Sequence, residues 1–114
     1  MDELISVMKA LSDPNRIRIV KMLQHKIMCV CEMQAVLRVA QPTVSAHLKI
    51  LEAAEIIGHR KNGLWIDYFL RDGRNSSYLA CLLGNLRFWL EDDEEIAAMI
   101  ERLPHVNREE IRGR

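Results

Sequence analysis

Cys29 and Cys31, one residue apart in a chain that carries three cysteines, are the side chains whose chemistry is easiest to state. An odd cysteine count, behind an acidic start (Met1-Asp2-Glu3-Leu4) where an export signal would be basic, argues for reduced thiols open to soft metals or redox chemistry rather than a disulfide scaffold. Two residues apart inside a regular helix, the thiols would diverge by about 200°. Across a loop-to-helix junction they can converge, and a helix N-terminus there would favour the thiolate, the form that binds metal. Cys81, the third cysteine, reads by default as a small buried apolar residue, and it is also the possible third ligand or redox partner.

A second set of residues is polar and basic. Gln41, Thr43, Ser45, Ala46 and Lys49 fall off the apolar stripe of one short segment, so short side chains near its start can reach base edges in a major groove. Gln suits adenine, and Thr or Ser serves base or phosphate. His47, alone on that segment, reads as a backbone or phosphate contact rather than a metal ligand. Arg60 and Lys61 precede Asn62-Gly63 and can meet phosphates or a minor groove. The net charge of zero hides an uneven distribution: residues 14–74 hold ten Lys/Arg against five Asp/Glu, while both ends are net acidic.

Several short elements must position these groups. Leu4, Ile5, Met8 and Leu11 predict a first helix, and Ser12-Asp13-Pro14 ends it and caps a second that buries Ile17, Val20 and Leu23. A third helix is expected from about Cys31 to Leu37, burying Met33, Val36 and Leu37. After the turn at Val39-Ala40, Gln41-Pro42 opens a fourth, with Val44, Leu48, Leu51 and Ile50 on its apolar face. Two short helices joined by three or four residues form a helix-turn-helix pattern. Ile56 to Lys61 and Leu64 to Leu70 then read as strands of a hairpin turning at Asn62-Gly63, a basic wing. Tyr78, Leu79, Leu82, Leu83, Leu86, Trp89 and Leu90 predict one long helix, too apolar to face water alone. Asp92 or Asp93 caps a last helix carrying Ile96, Met99, Ile100 and Leu103, and Pro104 ends it.

In this order, four connected motifs resemble the ArsR/SmtB family of winged-helix repressors: Ala10-Leu11-Ser12-Asp13-Pro14-Asn15-Arg16-Ile17-Arg18-Ile19, Cys29-Val30-Cys31-Glu32-Met33, Gln41 to Leu51, and Lys61-Asn62-Gly63-Leu64-Trp65. The resemblance spans roughly Met8 to Leu90. It implies a mainly α fold with a small β-hairpin, a winged helix-turn-helix that dimerises through its first and long C-terminal helices. Implied partners are double-stranded operator DNA and a second copy of the chain. No cofactor is needed for DNA binding, and an inducer releases the operator. In the arsenic-sensing branch a Cys-Val-Cys pair at this place binds As(III) or Sb(III). A third Cys there sits three residues after the second, where this chain has Gln34. Water, a small thiol or Cys81 is left to complete the site, and another soft metal remains open as inducer. The Asp-x-His pattern of zinc-sensing branches, with a distant His and Glu on the long helix, is absent.

The organisation expected is one domain, residues 1–103, with the polar segment 104–114 as a tail. The longest run free of Asp, Glu, Lys and Arg, Asn75 to Leu86, is too short to span a bilayer, so the expected setting is cytoplasmic with no membrane partner. A repressor that senses redox or reactive sulfur through Cys81 is the alternative. An enzyme, such as a small thiol oxidoreductase, is the remote one, because no Cys-x-x-Cys, phosphate loop or acid/base pair is present.

Overall fold

A computed structural model describes residues 1–74 and 76–112 of the chain. Among these described residues, seven helices and one hairpin follow in the order α1 (Asp2–Ala10), α2 (Pro14–Leu23), α3 (Val30–Leu37), α4 (Gln41–Ala53), β1 (Ile57–Asn62), β2 (Trp65–Leu70), α5 (Ser77–Leu86), α6 (Glu94–Arg102) and α7 (Arg108–Arg112), with a 3-10 turn at Leu103–His105. This is the mainly helical architecture with one antiparallel hairpin that the sequence implies. Among the described residues no helix is long and apolar enough to cross a membrane.

Local chemistry sets most boundaries. The Asp13 carboxylate accepts from the Asn15 and Arg16 amides at 2.8 and 3.2 Å, with Pro14 opening α2. Ser76 and Asp93 cap α5 and α6 by accepting from Leu79 N at 3.2 Å and Ile96 N at 3.0 Å. α3 stops at Arg38, whose left-handed φ of 59° turns the chain toward α4. The hairpin pairs Asn62 with Trp65, so its loop is Gly63-Leu64 rather than the expected Asn62-Gly63. Only the first of these two residues has positive φ (59°), the pattern of a type II′ turn, which glycine fits at that position.

α2 lies at the centre of the core. Ile19, Val20, Met22 and Leu23 are buried, together with Met28, Met33 and Val36, then Val44, Leu48 and Leu51, and Ile56 and Ile57 at the hairpin base. Ile17, expected inside, is half-buried, and Ile19 takes its place. The buried face is wider than a simple amphipathic stripe because α4, β2 and α6 all pack against α2. Ile50, expected on the apolar face of α4, is exposed, as are Ile5 and Met8 of α1.

Two departures concern the C-terminal third. The long helix expected to reach Leu90 ends at Leu86, and the chain turns through Leu90, where φ is 66°. The reason is Lys21, fully buried on α2. Its ammonium donates to the carbonyls of Leu86 at 3.0 Å and Trp89 at 2.8 Å and pairs with Glu91 at 3.2 Å. A cation at a helix C-terminus satisfies carbonyls that have no partner within the helix, and here it gathers the following turn as well. Within the polar segment after Pro104, residues Arg108–Arg112 form the short helix α7. Lys26 Nζ donates to Val106 O at 3.1 Å, and Arg108 bonds Asp67 while its guanidinium lies 4.6 Å from the centre of the Trp65 ring.

Candidate nucleic-acid interface and thiol pair

α4 presents Gln41, Thr43, Ala46 and Lys49 to solvent and keeps Val44, Leu48 and Leu51 inside. Ser45 is half-buried, with Gln41 Nε2 donating to its hydroxyl at 3.2 Å one turn away. His47 is half-buried too, and its Nδ1 lies 3.1 Å from Arg16 Nη1. The same guanidinium donates from Nε to Ala10 O at 2.7 Å, while His47 Nε2 stands 3.9 Å from Asp13. Arg16, which sequence reasoning left unassigned, thus ties the end of α1 and the start of α2 to the exposed helix. Burial raises the Asp13 carboxyl, but hydrogen bonds from the Arg16 and Asn15 amides and the charges of His47 and Arg16 more than offset it, leaving it below its usual 3.8.

Arg60 and Lys61 are exposed on β1, and the Arg60 guanidinium lies 5.5 Å from the centre of the Phe69 ring across the hairpin. The base of the hairpin is fixed to α4 by His59 Nδ1 and Glu52 Oε1, 2.5 Å apart. Polar helix face and basic wing are therefore joined directly, α4 packing against β1.

The thiols converge as expected at a junction. Cys29 is the extended N-cap of α3, Cys31 sits in its first turn, and the two Sγ atoms are 3.0 Å apart, close but not bonded as a disulfide. Cys29 is buried and Cys31 half-buried. The helix N-terminus does not make Cys29 a ready thiolate. Burial, the Cys31 thiol and the adjacent Glu32 charge push its pKa up to about 12 against the pull of the α3 backbone. Glu32 is placed there because its Oε1 accepts from Cys29 N at 3.0 Å, the reciprocal half of a capping box, while Lys26 balances its charge at 3.6 Å.

Beside the sulfurs lies an open groove of about 350 Å³ walled by Leu64, Trp65, Ile66 and Ile111. β2 is also joined to the residue before the pair, since Met28 N donates to Tyr68 O at 3.2 Å and Tyr68 N to Met28 O at 2.8 Å. The thiol site is thus built from α3, the wing and α7. Sequence reasoning found its sulfurs and missed its walls, because Trp65 and Ile66 read only as strand residues and Ile111 as tail. Cys81 is exposed on α5, not buried as its default reading had it. Among the described residues no group of three or more His, Cys, Asp or Glu is placed to hold an ion.

The surface also carries an apolar groove. Met8, Leu11 and Ile17 face Leu82, Leu86 and Trp89 across an open groove of about 540 Å³, and Phe88 and Leu90 stand exposed beside it.

The sequence model of bacterial regulatory proteins of the arsR family matches residues 13–58. An HTH-type transcriptional regulator of Methanocaldococcus jannaschii is 44% identical over 69 residues, covering 60% of this chain and 78% of that one. An arsenic resistance transcriptional regulator of Pseudomonas putida is 37% identical over 101 residues, covering 84% and 79%. Several other curated relatives are spanned over about half their length, for example 59% of an arsenical resistance operon repressor of Staphylococcus xylosus that is 39% identical. Among solved structures, the transcriptional repressor BigR from Xylella fastidiosa superposes with a TM-score of 0.64 at 25% identity over 82% of this chain and 89% of that chain.

Proposed function

We propose, for a chain that belongs to the arsR family of bacterial regulatory proteins, that it is a dimeric repressor whose operator is released when As(III), Sb(III) or a similar thiophilic ion takes Cys29 and Cys31. The protein is a DNA-binding transcriptional regulator and not an enzyme. One observation carries the inducer reading: two free sulfurs 3.0 Å apart at the start of the helix that precedes α4, joined by backbone to the wing.

Gln41, Thr43, Ser45 and Lys49 supply base and phosphate contacts, while Arg60 and Lys61 meet the backbone of double-stranded DNA. His47 serves as an anchor through Arg16 more than as a direct contact, which its half-burial favours. A second copy of the chain covers the Met8/Leu86/Trp89 groove, setting two α4 helices in register with two half-sites about one helical turn, or a multiple of it, apart.

Cys29 and Cys31 act as a lever. Any ligand that draws the sulfurs to one centre shifts the Met28 to Glu32 junction, and this junction is bonded to Tyr68 of the wing and opens α3, which buries Met33 and Val36 and packs against α4. The ligand empties the operator only if it binds the DNA-free form more tightly. A coupling of about 1–3 kcal/mol lowers operator affinity roughly 5- to 150-fold. The test is fluorescence anisotropy on labelled operator during an arsenite titration. Wild type should dissociate, and Cys29→Ser or Cys31→Ser should bind DNA and stay bound; normal release from both variants would place the inducer site elsewhere.

A further inference from the structure

We infer that Arg16 and His47 are positioning residues that set the half-site spacing a dimer of this chain reads, by fixing each α4 helix to the end of α1. The inference rests on the proposal that α4 reads DNA in a dimer closed over the Met8/Leu86/Trp89 groove.

One guanidinium spans the two parts. Arg16 donates from Nε to Ala10 O at 2.7 Å and from Nη2 to Lys9 O at 3.3 Å, while its Nη1 lies 3.1 Å from His47 Nδ1. Lys9 and Ala10 stand between Met8 and Leu11, two residues that line the groove assigned to the second copy. His47 stands between Ser45 and Lys49, half-buried on the flank of α4 beside its exposed face. Burial of Val44, Leu48 and Leu51 holds α4 to the core, but the hydrophobic effect has no direction of its own. A planar fork of donors has one, and it fixes the roll of α4 about its axis.

The contact also decides which way the imidazole works. A guanidinium has donors and no acceptor, so His47 Nδ1 accepts and the ring proton sits on Nε2. Nε2 faces Asp13 at 3.9 Å, and that carboxylate is held by the Asn15 and Arg16 amides at the start of α2. Both ring nitrogens therefore turn toward α2, and the side chain is 15% exposed. Such a residue orients its neighbours Ser45 and Lys49 rather than reaching DNA itself.

Two-fold symmetry amplifies any error in that orientation. One turn of duplex is about 34–36 Å for 10–10.5 base pairs, so one base pair is about 3.4 Å. A displacement of about 1.7 Å in each α4, in opposite senses, is then enough to change the preferred separation by one base pair.

The test uses a palindromic duplex selected from random DNA on the reduced full-length chain, and the same duplex lengthened or shortened by one base pair at its centre. Fluorescence anisotropy should show wild type preferring the selected spacing about tenfold, the order of one lost base contact. His47→Asn and His47→Gln separate anchor from DNA contact. Asn carries its oxygen on Cγ, where Nδ1 is attached, and can accept from Arg16. Gln places its polar atoms one carbon further, at the Nε2 position. Gln is also the better helix former, so propensity alone would favour it. His47→Asn should keep the tenfold preference and His47→Gln should reduce it to about threefold or less. Arg16→Lys, which keeps the charge and loses the fork, should resemble His47→Gln. Sedimentation equilibrium and thermal denaturation identify the variants that are folded dimers, and the His47 pair suffices if Arg16→Lys is not. The reverse order, with Gln like wild type and Asn impaired, overturns the inference by putting Nε2 on DNA; a full preference in His47→Gln overturns it too. If wild type binds every spacing alike, the parent reading of a dimer on two half-sites falls as well; if wild type has a preference that His47→Gln keeps, only the present inference falls.

Discussion

Lys21→Met removes the ammonium that organises the end of α5 and keeps the apolar stem that fills the core. The Leu86 and Trp89 carbonyls, which now accept at 3.0 and 2.8 Å, lose their donor. A buried acceptor left alone costs about 1–3 kcal/mol, but this turn is close to solvent and water can reach part of it. Relief from burying an ammonium offsets a further share. The balance is a loss of about 2 kcal/mol, and for a chain of this size that lowers Tm by about 8 °C. A second consequence follows from position, because the carbonyls that Lys21 holds carry the Phe88-Trp89-Leu90 turn beside the apolar groove. Thermal denaturation by circular dichroism and sedimentation equilibrium should therefore change together, with weaker self-association in the variant. A Tm within about 2 °C of wild type and unchanged association would refute the role given to Lys21.

Replacing Arg60 and Lys61 together with Ala should weaken binding to all DNA sequences alike and reduce the salt slope of log K by roughly 0.9 for each phosphate no longer neutralised; an unchanged slope removes the wing from the interface. Asp67→Asn should destabilise the chain by about 1.5–3 kcal/mol at pH 7, since its buried carboxylate accepts from Asn62 and Arg108. Burial raises that carboxyl, yet the hydrogen bonds from Asn62 and Arg108 and the charges of Arg108 and Arg60 hold it below its usual 3.8. Its stabilisation is then full above the unfolded value of 3.8 and lost as pH falls through the lower folded one, so denaturant curves of the two proteins should converge in strong acid. Burial and the Glu32 charge hold the Cys29 thiol well above its ordinary range, and Cys81 is exposed, so iodoacetamide at pH 8 followed by peptide mapping should leave Cys29 unmodified in the folded chain after Cys81 has reacted.

Much of the fold is readable from residue order. Asp13-Pro14, Gln41-Pro42 and the apolar spacing in α3 and α4 are local signals, and local chemistry decides those helices. The convergence of Cys29 and Cys31 is legible for the same reason, since a junction frees two neighbours that a helix would separate. What escapes depends on partners far along the chain. Lys21 looks like any helix lysine until the carbonyls 65 to 68 residues later fold onto it. α7 has one apolar residue, Ile111, and no periodicity; Arg108 holds it to Asp67 and Trp65, and Lys26 holds Val106 just before it. The turn lies at Gly63-Leu64, one position on, because strand register, fixed by the whole hairpin, outranks the Asn-Gly preference. The helix-terminus argument for a Cys29 thiolate fails because it weighs the α3 dipole and not the burial or the Glu32 carboxylate beside it.

Linkage between the thiol pair and DNA is the central claim, and it is tested most directly by measuring arsenite affinity for the reduced protein twice, free and saturated with operator. Reciprocity requires operator to weaken arsenite binding by the factor with which arsenite weakens operator binding, roughly 5- to 150-fold, with the effect abolished in Cys29→Ser and in Cys31→Ser. Equal arsenite affinity in the two states would contradict the account, because a ligand that does not distinguish bound from free protein cannot release it.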